Sequence, residues 1–143
     1  MNAVVKLFRL PRSEKKLLAE ALVLLSAVRI GLVLVSVQQL HRALKAIRRG
    51  TSGGASDRQM PLKANIAVSR AARIVPRATC LSQALTLQAM LRRESLPSSL
   101  WIGVSKDEAK RFGAHAWVEH DGTVFPCGTN PSLFTPLAVL KSA

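Results

Sequence analysis

The chain has 143 residues, 48% of them hydrophobic, which excludes a disordered chain and provides for one domain with a sizeable core. Its two cysteines, Cys80 and Cys127, suffice for one disulfide and exclude a disulfide framework. The net charge of +13 is lopsided: residues 1–79 carry 15 Lys/Arg against 3 Asp/Glu, and residues 80–143 carry 6 against 5.

Residues 1–11 form a basic-apolar lead-in that ends at Pro11. It has no compact apolar run followed by a small-residue cleavage site, so no cleavable signal peptide is read there. The expected compartment is the reducing cytoplasm, where a single reactive thiol persists. Ser13 is placed to cap a helix starting at Glu14, whose carboxylate suits the positive end of the helix dipole. From Leu17 to Ile47 the chain is rich in Leu, Val and Ala, and Gly31 marks a kink or break. Ala21 to Val37 has 17 residues and one charge, Arg29. That length is at the short limit for a membrane span, and a central Arg costs about 2.5–3.5 kcal/mol on insertion scales. A helix packed in the core or on a partner is favoured over membrane association, with its polar surface around Arg29 and Ser36. His41 reads as a solvated surface residue.

Gly50-Thr51-Ser52-Gly53-Gly54-Ala55-Ser56-Asp57 is the clearest linker. The organisation is thus a helical region at 1–49, a linker at 50–58 and a core at 59–143. Leu62 to Val75 repeats apolar residues at helical spacing and stops at Pro76. Cys80 to Arg93 reads as the next helix. Beyond Pro97, Ser98 to Val104 and Ala114 to His120 read as strands; Asp121-Gly122 is a hairpin turn and Thr123 to Phe125 the returning strand. Helices first and a short antiparallel sheet after them give an α+β fold.

The basic half can dock an acidic peptide or protein, nucleic acid or an anionic membrane. Phe8 is the only aromatic residue before position 101, so stacking platforms for nucleic acid are lacking and no nucleic-acid partner is expected. No CxxC or HExxH spacing points to a metal, and Gly50 to Gly54 lacks the Lys-Ser/Thr of a phosphate loop.

Cys80 and His115 carry the chemistry. Most free cysteines are small buried hydrophobes, but Cys80 opens a helix, where the macrodipole favours thiolate over thiol. His115 lies on a following strand and can serve as base and then as acid. Trp117 shares its face of the strand and can wall the site. A third group should orient the imidazole. A two-residue turn sets Ala116 opposite Cys127 and His115 opposite Gly128, whereas a three-residue loop sets Trp117 opposite Cys127 and His115 opposite Thr129. Asp121 and Glu119 share the alternation face of His115, but they lie about 20 Å and about 13 Å along the strand.

Cys80-Leu81-Ser82-Gln83-Ala84-Leu85, Leu91-Arg92-Arg93, Leu96-Pro97, Trp101-Ile102-Gly103-Val104 and Gly113-Ala114-His115-Ala116-Trp117-Val118-Glu119 with Asp121-Gly122 together resemble a known family. It is that of the lasso-peptide leader peptidases, with their transglutaminase-like, papain-like core, and the motifs span roughly residues 76–125. The resemblance implies a cysteine peptidase that removes the leader from a ribosomally made precursor, with Cys80 as nucleophile and His115 as acid/base. It implies three partners: the precursor peptide, a separate leader-recognition protein and a macrolactam synthetase. No cofactor is implied for the chain itself, while an ATP requirement of the maturation system stays open. The family's third catalytic member is usually an Asp twelve residues past the histidine, where this chain has Cys127. Candidate orienting groups are therefore Cys127, Asn130 and Asp121. Two other readings are a non-catalytic basic scaffold in a peptide-maturation complex and transglutaminase-like amide transfer.

Overall fold

A computed structural model describes residues 8–46, 58–106, 112–125 and 135–141 of the chain. Four helices come first: α1 (Arg12–Leu34), α2 (Val37–Lys45), α3 (Met60–Ala72) and α4 (Cys80–Arg93). The strands β1 (Ser99–Lys106), β2 (Phe112–His120), β3 (Thr123–Phe125) and β4 (Thr135–Lys141) follow. They form one antiparallel sheet in the order β3-β2-β1-β4. The α+β class read from the sequence is the fold observed.

The long apolar run divides differently from the expectation. Its first helix starts at Arg12 behind Pro11, with no side-chain cap, so Ser13 lies inside the first turn instead of capping it. Proline has no N–H to satisfy and its fixed φ suits the chain's entry into a helix. Glu14 does lie in that first turn, where it also pairs with Arg70 of α3 at 3.3 Å. The break falls at Val35-Ser36, not at Gly31. Ser36 accepts from the Gln39 amide and the Gln39 side chain accepts from the Ser36 amide, a capping box that starts α2. Gly31 serves packing: a Cβ there would stand 2.8 Å from Leu40 Cδ1, so its absence lets α2 close onto α1.

α4 is the central helix. It packs on α1, α2, α3, β1 and β2, and Ala84 through Leu91 are all buried. Around it, Leu18, Ala21, Leu25 and Val28 of α1 join Ala64, Val68 and Ala71 of α3 and Leu100, Ala116, Val118 and Phe125 of the sheet in one core. Each fully buried Leu or Val contributes about 1.5–3 kcal/mol. The helices read as a separate N-terminal region thus share a core with the rest, while of the linker read at 50–58 only Arg58 is among the described residues. α4 ends with Ser95 at φ 60, where the Leu96 amide donates to Leu91 and the Ser95 amide to Arg92. That pair of bonds is a Schellman motif.

His41 departs from its expected solvated state. His41 is buried, its Nε2 lying 3.0 Å from Gln88 Oε1. The Gln88 amide in turn donates to the Leu140 carbonyl of β4 at 2.8 Å, so a polar bridge crosses from α2 through α4 to the sheet. Burial, and then the nearby charge of Lys45, hold the His41 pKa below its usual value. His120 is half-buried, with Nδ1 2.6 Å from the Pro97 carbonyl.

The sheet has one strand more than expected. β4 pairs antiparallel with β1 at the sheet's edge, with a bulge between Ile102 and Gly103. Pro136 obscures it in the sequence, yet an edge strand tolerates proline because one of its sides makes no ladder bonds. At the other edge His120 pairs with Thr123 across Asp121 (φ 49) and Gly122 (φ 77). The two-residue turn is therefore the one formed, and the ladder is described as far as Val118 opposite Phe125.

Candidate functional site

The site begins with how α4 starts. Thr79 is in extended conformation; its Oγ1 accepts from the Ser82 amide at 3.2 Å, and Ser82 Oγ accepts from the Thr79 amide at 2.8 Å. This reciprocal cap makes Cys80 the first residue of the helix. The Gln83 amide bonds the Thr79 carbonyl at 3.0 Å. Among the described residues, that leaves the Cys80 and Leu81 amides as the first-turn donors not yet committed. Just upstream, Arg77 holds a left-handed φ of 57, so the chain turns sharply into the cap.

Cys80 is a free, half-buried thiol. Its Sγ lies 4.0 Å from the carbonyl oxygen of Ala114, on the central strand β2. The helix start thus abuts β2 one residue before His115.

His115 is buried and faces Gly103 across the β1–β2 ladder. Its ring stacks on Trp117, with centroids 6.2 Å apart and planes at 23°. Ala116 and Val118 point into the core, so by strand alternation His115, Trp117 and Glu119 occupy the opposite face. On that face the Trp101 Nε1–H donates to Glu119 Oε2 at 3.1 Å. The imidazole is therefore buried, with Trp117 stacked beside it on the same face of the strand.

Of the sequence candidates, the structure brings the Cys80 thiol to the Ala114 carbonyl, one residue before His115, and sets Trp117 against the His115 ring. Asp121 is exposed in the hairpin turn, six residues from His115 and about 20 Å along the strand. Cys127 and Asn130 lie outside the described residues. Sequence reasoning missed the Thr79–Ser82 cap, because the usual capping box has Glu or Gln where this one has Ser. It also passed over Gly103, although a glycine inside a strand signals a close approach of another group.

A helix-start thiol thus lies against an antiparallel sheet whose strand β2 carries a buried histidine, in an α+β fold. The chain belongs to the transglutaminase-like superfamily, whose family model (Transglut_core3) matches residues 22–139, from the middle of α1 into β4. That superfamily commonly contains cysteine hydrolases and acyltransferases. No curated protein and no solved structure gives a significant match to the chain.

Proposed function

We propose that this protein is a cysteine peptidase that removes the leader from a ribosomally made lasso-peptide precursor. The observation that carries the reading is the 4.0 Å approach of Cys80 Sγ to the Ala114 carbonyl, which brings the thiol to the strand segment bearing His115. The motif resemblance over residues 76–125 and membership of the superfamily support it.

In this reading Cys80 Sγ attacks the carbonyl carbon at the leader–core junction after passing its proton to His115. The Cys80 and Leu81 amides, uncommitted in the first turn, receive the oxyanion. The C–N bond then breaks, His115 returns the proton to the departing amine of the core peptide, and the leader remains as a thioester on Cys80. Water, deprotonated by His115, attacks the thioester; the leader leaves with a free carboxylate and the thiol is restored. The precursor, a separate leader-recognition protein and a macrolactam synthetase that closes the ring on the freed amine are the proposed partners, and the cytoplasm the proposed compartment.

The test is mass spectrometry of the precursor incubated with this protein and the leader-recognition protein, beside a Cys80→Ala control. One cut at the leader–core junction, absent from the control, is the expected result. A product heavier by an added amine would turn the reading to amide transfer. An uncut precursor that demonstrably binds would turn it to a scaffold.

A further inference from the structure

α1 is apolar on two opposite faces, and the core covers only one of them. Leu18, Ala21, Leu25 and Val28 are buried. On the other side Val23, Ile30 and Leu34 are 69%, 61% and 74% exposed. At 3.6 residues per turn these three line up with Ala19 and Ala27 in a stripe about 22 Å long. The exposed face is therefore not the polar one expected around Arg29 and Ser36. Ser36 caps α2, and Arg29 is half-buried on the flank towards the core, with its Nε shielded from solvent.

The stripe continues at its N-terminal end into charge. Arg12 and Lys16 fall on the same face, with Arg9 and Lys15 beside them, and all four are exposed. Among the described residues none of them has a carboxylate partner. The one acidic residue bordering the stripe, Glu20, is already bound to Arg93 at 2.8 Å. Phe8, 76% exposed, lies just ahead of this cluster.

We infer that the outer face of α1 docks this protein onto an anionic lipid surface, lying in the interface rather than crossing it. The helix is long and apolar enough to span a bilayer. Spanning, however, would strip Ala21, Leu25 and Val28 out of the core and break the Glu14–Arg70 and Glu20–Arg93 pairs. Lying flat keeps all of these while the aliphatic stripe enters the acyl boundary and the cations meet the headgroups. A second copy of the chain fits less well. Pairing parallel stripes would bring the two cation clusters together, and pairing them antiparallel would offer those cations no acid. The stripe also lacks the Trp, Tyr and Arg anchors that dominate protein interfaces.

This inference stands apart from the peptidase reading, and its test needs no activity. The full chain is sedimented with phosphatidylcholine vesicles, with and without phosphatidylglycerol, at low and high salt. Retention on the anionic vesicles, weakened by salt, is expected. Lys15→Gln with Lys16→Gln should weaken it by roughly tenfold or more, at about 1 kcal/mol for each cation near the surface. Ile30→Gln with Leu34→Gln should weaken it by about tenfold, because it removes apolar area from the acyl boundary. Both positions are exposed, so the thermal midpoint of this variant should match the parent. Protein left in the supernatant with anionic vesicles would overturn the inference. So would equal binding by the Ile30/Leu34 variant, which would reduce the effect to charge alone. A concentration-dependent dimer lost on Ile30→Gln, without vesicle binding, would assign the stripe to a second copy and equally overturn it.

Discussion

The ring of Trp117 lies over Gly103, in the space that a side chain at Gly103 would fill. A Cβ at that position would stand 2.8 Å from Trp117 Cζ3 and 2.9 Å from Cη2, and also 2.9 Å from the Thr135 carbonyl oxygen of β4. Gly103 thus leaves room for the Trp117 ring, which stacks on His115. The ring could turn, but the carbonyl cannot withdraw without opening the edge of the sheet. Gly103→Ala is therefore expected to destabilise the fold by about 1–3 kcal/mol, measured by urea unfolding. Trp117→Leu in the same background should recover part of this loss and leave the part due to Thr135. A double-mutant cycle in which the two substitutions simply added would refute the contact.

The cap before Cys80 should matter to both stability and chemistry. Thr79→Ala removes the oxygen that accepts from the Ser82 amide. A loss of about 1 kcal/mol is expected, and Thr79→Ser should retain most of it. If the cap also positions the thiol, the rate of Cys80 alkylation by iodoacetamide should change in Thr79→Ala and not in Thr79→Ser. Equal rates in all three proteins would limit the cap to stability.

Ser95 should be improvable. It occupies the left-handed position of the Schellman motif that ends α4, where glycine has no Cβ penalty. Ser95→Gly is expected to stabilise the protein by up to about 1 kcal/mol, seen as a higher urea midpoint with an unchanged slope. A lower midpoint would show that the serine side chain contributes something its backbone does not reveal.

Acid should weaken the protein through His41. Its pKa is held down mainly by burial and then by the charge of Lys45, with Arg92 adding to the effect and the Gln88 hydrogen bond opposing it. A histidine that is harder to protonate folded than unfolded leaves the unfolded chain binding more protons. Its contribution is complete above the unfolded value of about 6.5 and is lost as pH falls from there through the lower folded value. Urea unfolding between pH 8 and pH 5 should show stability falling, and His41→Gln should flatten that part of the profile. An unchanged profile in the variant would mean that other groups set the acid sensitivity.

Much of this was legible in the sequence because it rests on local chemistry. The bounds of α4, the Asp121-Gly122 turn and the pattern around His115 follow from helical spacing, from glycine's access to positive φ and from strand alternation. Ser36 was harder to see as the break in the long apolar run, since Gly31 is the more obvious helix breaker. Only the packed structure shows that Gly31 is used for the approach of Leu40.

Cys80 could be assigned to a helix start and His115 to a strand from the sequence alone, since neighbouring residues decide both. Three things depended on tertiary structure: the meeting of the helix start with β2, the stacking of Trp117 on a buried His115, and the face of α1 left outside the core. A helix apolar on two opposite faces carries no mark of which side its partners will take. That choice is made by α3 and α4, which are distant in sequence and bury one side of α1 while leaving the other bare.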